Sequence, residues 1–151
     1  MRTYSELSSI PSFIERYRYL RLGGIIGEET FGYDRWLNQK FYKSSEWRHI
    51  RHLVILRDNG CDLGCPDQEL SDFEPVIIHH MNPITMDDII NRSPILLDPE
   101  YLITVGDDTH KAIHYGDESL LNLPPVERYP NDTCPWSGVK RRSNHGEYSI
   151  L

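Results

Sequence analysis

The chain has 151 residues, a net charge of −7 and three cysteines. At this length roughly 68–70% of the unfolded surface can be buried, so neither a disulfide nor a metal is needed merely to fold. The odd cysteine count argues against a disulfide framework. The start from Met1 to Glu6 has no apolar core of signal-peptide length, and nowhere do about 18 apolar residues run together. These features predict a cytoplasmic protein with no membrane partner.

In chain order, the first predicted element is a helix. Ser12 followed by Glu15 is a capping-box pattern, Phe13, Tyr17 and Leu20 form a helical stripe, and Gly23-Gly24 stops it. A short helical piece is expected over Tyr33 to Tyr42. A longer helix starts at Ser45, with Trp47, Ile50, Leu53 and Val54 on its inner side and the turn dipeptide Asn59-Gly60 at its end. Short strands are expected at Cys61 to Leu63 and Val76 to His80. Thr85 caps a small helix with Asp87 and Asp88 in its first turn, a strand covers Tyr101 to Val105, and Asp107 or Asp108 caps a helix running through His114. Phe41, Trp47 and Tyr115 read as packing residues. Beyond Leu121, Pro124, Pro125, Pro130 and Pro135 forbid long regular structure, so an extended tail anchored by Trp136 and carrying the basic Lys140-Arg141-Arg142 is expected.

The fold class is therefore α+β. It divides into an N-terminal helical extension (1–43), a core (44–121) and an extended Pro-rich tail with a basic end (122–151), together one compact domain. Charge is distributed unevenly over it. Residues 35–57 carry Arg35, Lys40, Lys43, Arg48, Arg51 and Arg57 against the single Glu46, whereas residues 58–121 carry fourteen acids against Arg92 and Lys111. Both runs also read as solvated faces. If the partner is a polyanion, a metal and a separate basic surface have to bring it in against the acidic stretch.

Four of the seven histidines fall in two segments, Val76-Ile77-Ile78-His79-His80 and His110-Lys111-Ala112-Ile113-His114. The i, i+4 spacing stacks His110 and His114 on one helix face. Adjacent strand residues point to opposite faces, so His79 and His80 cannot both face one ion. His79 is assigned to join His110 and His114 as a ligand, leaving His80 free to act beside the ion. Three imidazoles suit Zn²⁺ or Ni²⁺ better than the oxygen-preferring Mg²⁺.

These residues resemble the HNH endonucleases. The wider run is similar to the phage-encoded branch of that family: Ser45-Glu46-Trp47, Arg57-Asp58-Asn59-Gly60-Cys61-Asp62-Leu63-Gly64, Ile78-His79-His80-Met81-Asn82-Pro83-Ile84 and Ala112-Ile113-His114-Tyr115-Gly116. The likeness spans about residues 25–121. It implies a ββα-metal core and hydrolysis of DNA phosphodiesters with one divalent ion, whether Zn, Ni, Mn or Mg, leaving 5′-phosphate and 3′-hydroxyl ends. It also implies His79, His110 and His114 as ligands and His80 as the general base that takes a proton from an in-line water. Arg48, Arg51, Arg57 and Lys111 are the candidate phosphate contacts.

Two positions depart from the family pattern. Tyr101 stands where the middle Asn, which positions the loop around the base, is expected, and Asn82 or Asn91 is the candidate substitute. Many relatives hold a structural zinc with two Cys-x-x-Cys pairs; here Cys61 and Cys65 have no second pair, so no structural zinc is expected. The Tyr101 replacement and the acidic stretch leave a second expectation open. It is a catalytically weak HNH-like interaction protein acting with the phage terminase or packaging machinery rather than directly on DNA.

Overall fold

The computed structural model describes residues 1–22 and 35–123, with the backbone alone of 35–38, 140–142 and 148–150. Helices α1 (Tyr4–Ser8), α2 (Phe13–Leu20), α3 (Arg35–Tyr42) and α4 (Ser45–Arg57) precede strand β1 (Val76–His80). Helix α5 (Met86–Ile90), strand β2 (Leu102–Gly106) and helix α6 (Asp107–Tyr115) follow. Later in the chain a strand pair, β3 (Lys140–Arg142) and β4 (Tyr148–Ile150), joins Lys140 to Ile150 in antiparallel register. The basic triplet is thus a paired strand. The tail prolines and Trp136 lie outside the described residues, as do Gly23-Gly24 and Tyr33.

Local signals account for much of this order. Ser44 caps α4 by accepting from the Trp47 N–H at 3.2 Å, and Thr85 forms a complete capping box with Asp88 at the start of α5. The α4 exit is a left-handed pair, Asn59 (φ 53°) and Gly60 (φ 65°), a conformation Asn and Gly tolerate better than other residues. Along α4, Trp47 and Val54 lie seven residues apart and are buried, while Leu53 rotates about 100° away from Val54 and is exposed.

Several expectations are corrected. Ser12 precedes α2 but makes no side-chain cap. The entry is held instead by buried Arg16, which donates to the carbonyls of Ile10 (2.7 Å), Leu63 (2.7 Å) and Ser8 (3.3 Å). Helix α1 was not anticipated; Thr3 caps it. The expected strand at Cys61 to Leu63 is a 3₁₀ turn over Asp62–Gly64 with a single bridge, Cys61 to Glu69. Leu63 adopts φ 52° there, which no ladder accommodates. Tyr101 ends another 3₁₀ turn, Pro99–Tyr101, rather than opening β2, and Tyr115 is exposed rather than packed.

β1 and β2 pair antiparallel from Val76 opposite Gly106 to His80 opposite Leu102. Side chains alternate between two apolar clusters. Ile103 and Val105 enter one with Leu7, Tyr17, Leu20, Leu63, Met81, Ala112 and Ile113, while Leu102 and Ile78 enter another with Trp47 and Val54. The hairpin is thus covered by α1, α2 and α6 on one side and by α4 on the other. Each fully buried Leu or Ile contributes about 1.5–3 kcal/mol.

Arg57 ties the layers together. It donates to Asp58 (2.8 Å) and to the carbonyls of Pro99 (2.7 Å) and Leu102 (2.8 Å), and its guanidinium lies 3.5 Å over the Tyr4 ring. The Asp58 side chain is fully buried and also accepts from the Thr104 N–H at 2.8 Å. Arg57→Ala strands that carboxylate, so a loss of about 3–5 kcal/mol is expected in urea unfolding. A loss below about 1 kcal/mol would show that the pair does not carry the fold.

Candidate metal centre

His79 is the fourth residue of β1, on the face turned toward α6. His110 and His114 point back from successive turns of α6. Their ring centroids lie 5.4 and 5.1 Å from that of His79 and 4.4 Å from each other. One ring nitrogen from each residue lies within 4.8 Å of the others, so the three form a group that could hold a metal ion. A tetrahedral ion with bonds of about 2.0–2.1 Å separates its nitrogen ligands by about 3.3 Å, a spacing this cluster approaches.

Two observations show that the residues fit an ion. His79 is 4% exposed, and its Nε2 has no hydrogen-bond partner. An unpaired buried polar atom of this kind costs about 1–3 kcal/mol. The Nε2 atoms of His110 and His114 face each other at 3.0 Å, where only one can donate. All three imidazoles are also held neutral, the form a metal requires. Burial pushes His79 well below its ordinary range, with His110 and His114 adding to the effect; burial and His114 push His110 down to about 4; burial lowers His114.

His80 is placed differently from the expectation. Its ring stacks on Trp47 (centroids 5.2 Å, planes 15° apart) beside Phe41 and Tyr42, on the α4 side of the hairpin, and its Nε2 bonds the Leu96 carbonyl at 3.1 Å. It is therefore not free beside the three-histidine group. Burial lowers it to about 4, the Leu96 carbonyl opposing, so the ring is neutral near pH 7. A carbonyl only accepts, which puts the proton on Nε2 and leaves the lone pair on Nδ1.

The loop-positioning candidates do not bond His80. Asn82 clamps the backbone of Arg2, accepting its N–H at 2.7 Å and donating to its carbonyl at 2.8 Å. Tyr101 acts through its backbone, its carbonyl accepting from the Met81 N–H at 3.0 Å. The bond to His80 comes from Leu96, in the 3₁₀ turn Pro94–Leu96.

Among the phosphate candidates, Arg57 is committed to the fold. Arg51 donates to the Val76 carbonyl at 2.9 Å and Arg48 to the Lys43 carbonyl at 2.9 Å, both from α4 on the side of the hairpin away from the histidine group. Lys111 pairs with Asp107 one turn earlier on α6. Asp87 and Asp88 lie in the first turn of α5 and Asp107 and Asp108 in that of α6, as helix-terminal residues; the expected cap at Asp107 or Asp108 is corrected, because Gly106 occupies the N-cap position and has no side chain to offer.

The residue that sequence reasoning missed is Asp62. Its carboxylate accepts from the Gly106 N–H at 3.2 Å and from the Thr109 hydroxyl, placing a negative group at the open end of α6 from 44 residues away. Asp62 falls inside the Arg57–Gly64 motif, but nothing local to it announces partners on β2 and α6. Burial raises it to about 6, against the hydrogen bonds from Thr109 and Gly106.

No family model, curated protein or solved structure matches the chain. Among the described residues, no helix is long and apolar enough to cross a membrane.

The raised Asp62 carboxyl makes a signed prediction. The folded state holds this proton up to about pH 6 and the unfolded state releases it near 3.8, so its contribution to stability falls as pH rises through that window. Asp62→Asn does not titrate. Stability of the wild type minus that of the variant should drop by on the order of 1 kcal/mol between pH 5 and pH 7 in urea melts. A constant difference contradicts the assignment.

Proposed function

We propose that the chain is a metal-dependent DNA endonuclease of the HNH type, in which β1, β2 and α6 form the ββα-metal unit. The observation that carries this reading is the convergence of His79, His110 and His114 around the unsatisfied Nε2 of a buried histidine. The strand, strand, helix order around them and the resemblance of the flanking motifs support it. Three protein nitrogens leave a coordination position open, as catalytic rather than structural sites do.

Under this reading the three imidazoles bind a divalent ion, which when bound supplies a Lewis acid for phosphate oxygens. Asp62 and the Gly106 and Thr109 groups it bonds hold α6 at the angle that brings two of the ligands to the third. His80 is the proposed general base. Its Nε2–H is committed to Leu96, so Nδ1 is the atom that takes the proton, and Trp47 keeps the ring from turning. His79 and His80 are the last two residues of β1, so the base has to reach the phosphate around the strand's end.

One observation favours the second reading. His80 lies on the other face of β1 from the ligands and is packed against three aromatic rings. That arrangement suits an HNH-like metal-binding protein with little hydrolytic activity; the partner on this reading is the phage packaging machinery.

Plasmid cleavage with Mg²⁺, Mn²⁺, Ni²⁺ and Zn²⁺ separates the two. Wild type is expected to nick or cut. His110→Ala should lose both metal binding and cleavage, whereas His80→Ala should keep metal binding and lose about 10²–10⁴-fold in rate. Equal cleavage by His80→Ala and wild type removes His80 as the base. A wild type that binds metal, cleaves with none of the four and captures a packaging protein establishes the interaction reading.

A further inference from the structure

Arg2 is fixed on the same side of the hairpin as the histidine group. Its backbone N–H and carbonyl are both held by the buried Asn82, three residues beyond His79. Its guanidinium donates through Nε to the Tyr19 carbonyl (2.9 Å) and through Nη2 to the Arg21 carbonyl (3.4 Å) at the end of α2. The next residue, Leu22, donates its N–H to the Ile113 carbonyl at 3.0 Å, immediately before His114. Arg2 is thus bracketed by the exit of β1 and the second ligand turn of α6. Its charge is also felt at His79, where it adds to the forces that keep that ring neutral.

Arg57, Arg18 and Lys111 are paired with carboxylates, whereas Arg2, like Arg16, Arg48 and Arg51, has no ion pair among the described residues; of these four, Arg2 is the one whose charge acts on His79. Both of its guanidinium bonds go to neutral carbonyls, which orient it without cancelling its charge. Nη1 makes no hydrogen bond among the described residues, and a guanidinium carries five N–H donors in a fork that matches phosphate oxygens.

We infer that Arg2 forms an anion subsite beside the histidine group and takes a non-bridging oxygen of a phosphodiester bound there. The inference rests on the metal-centre reading. A fixed positive charge beside a cation site weakens binding of the cation alone and favours it once an anion lies between them. Metal and phosphodiester should therefore bind cooperatively, each strengthening the other by the same factor. A residue that merely supported the fold would produce the opposite pattern, in which its loss weakens the metal site itself.

The test measures Co²⁺ affinity of the full chain by titration calorimetry, with and without saturating thymidylyl-3′,5′-thymidine, in wild type, Arg2→Gln and Arg2→Lys. Thermal melts check that each variant is folded. In wild type the dinucleotide should tighten Co²⁺ binding by about 5-fold or more. In Arg2→Gln that effect should fall below about 2-fold, with Co²⁺ alone bound as tightly as in wild type or more so, and Arg2→Lys should recover part of it. Undiminished coupling in Arg2→Gln overturns the subsite, as does a variant that binds Co²⁺ alone more weakly. Wild-type Co²⁺ binding that is indifferent to the dinucleotide overturns the subsite and leaves the metal centre standing. Absence of Co²⁺ binding in folded wild type removes the metal centre and the subsite with it.

Discussion

A carboxylate taken out of water survives only if its oxygens are bonded, and two such groups, Asp58 and Asp62, hold together the part of the molecule that carries the histidines. Asp58 binds the Thr104 N–H on β2 and is matched by Arg57. Asp62 binds the Gly106 N–H, where β2 ends, and the Thr109 hydroxyl, one residue before His110. One side chain therefore touches the last residue of the strand and the first turn of the helix. The angle between β2 and α6 is set there, and the separation of His79 from His110 and His114 follows from it. Gly106 serves this junction because it is small: a Cβ at that position would lie 2.5 Å from the Glu74 carboxylate and 2.9 Å from Leu70.

Strand alternation imposes the second constraint. Once Ile103 and Val105 are committed to one apolar cluster and Leu102 to the other, the register sends His79 toward α6 and His80 toward Trp47. A one-residue slip would exchange them and would also drive the apolar side chains of β1 to the wrong faces. The two histidines thus have opposite environments for a backbone reason. His79 keeps an unsatisfied nitrogen beside two other imidazoles, and His80 is satisfied by a carbonyl and enclosed by rings.

What was legible in the sequence is what is encoded locally. The limits of β1, the Thr85 capping box, the Asn59-Gly60 exit and the i, i+4 pair on α6 all follow from neighbours within four residues. The grouping of His79 with His110 and His114 needed only alternation and helical period. Around the candidate site, the failures are long-range bonds between groups far apart in sequence. Arg57 looked like a surface cation because the Pro99 and Leu102 carbonyls that use it lie over 40 residues away. Asp107 and Asp108 looked like caps because nothing local shows that Gly106 takes the N-cap position or that the carboxylate bonded to its N–H, Asp62, comes from elsewhere. The predicted strand at Cys61 failed for the same reason, since Asp62 has to turn inward to reach α6.

Bonds both local and long-range also change what the acidic composition of 58–121 means. Asp58 is matched by Arg57, Asp62 is buried against hydrogen-bond donors, Asp88 closes the cap on α5, and Asp107 is paired with Lys111. Of the fourteen acids of the segment, these four are bonded within a few ångströms, and the charges of Asp58 and Asp107 are matched by neighbouring cations. That group contains no carboxylate. On the proposed reading, neutral imidazoles leave the full charge of a bound ion available to an anion, where a carboxylate ligand would have cancelled part of it. On that reading an acidic domain can receive a phosphodiester at one point, where two of its acids, Asp58 and Asp62, are used in holding the surrounding elements together.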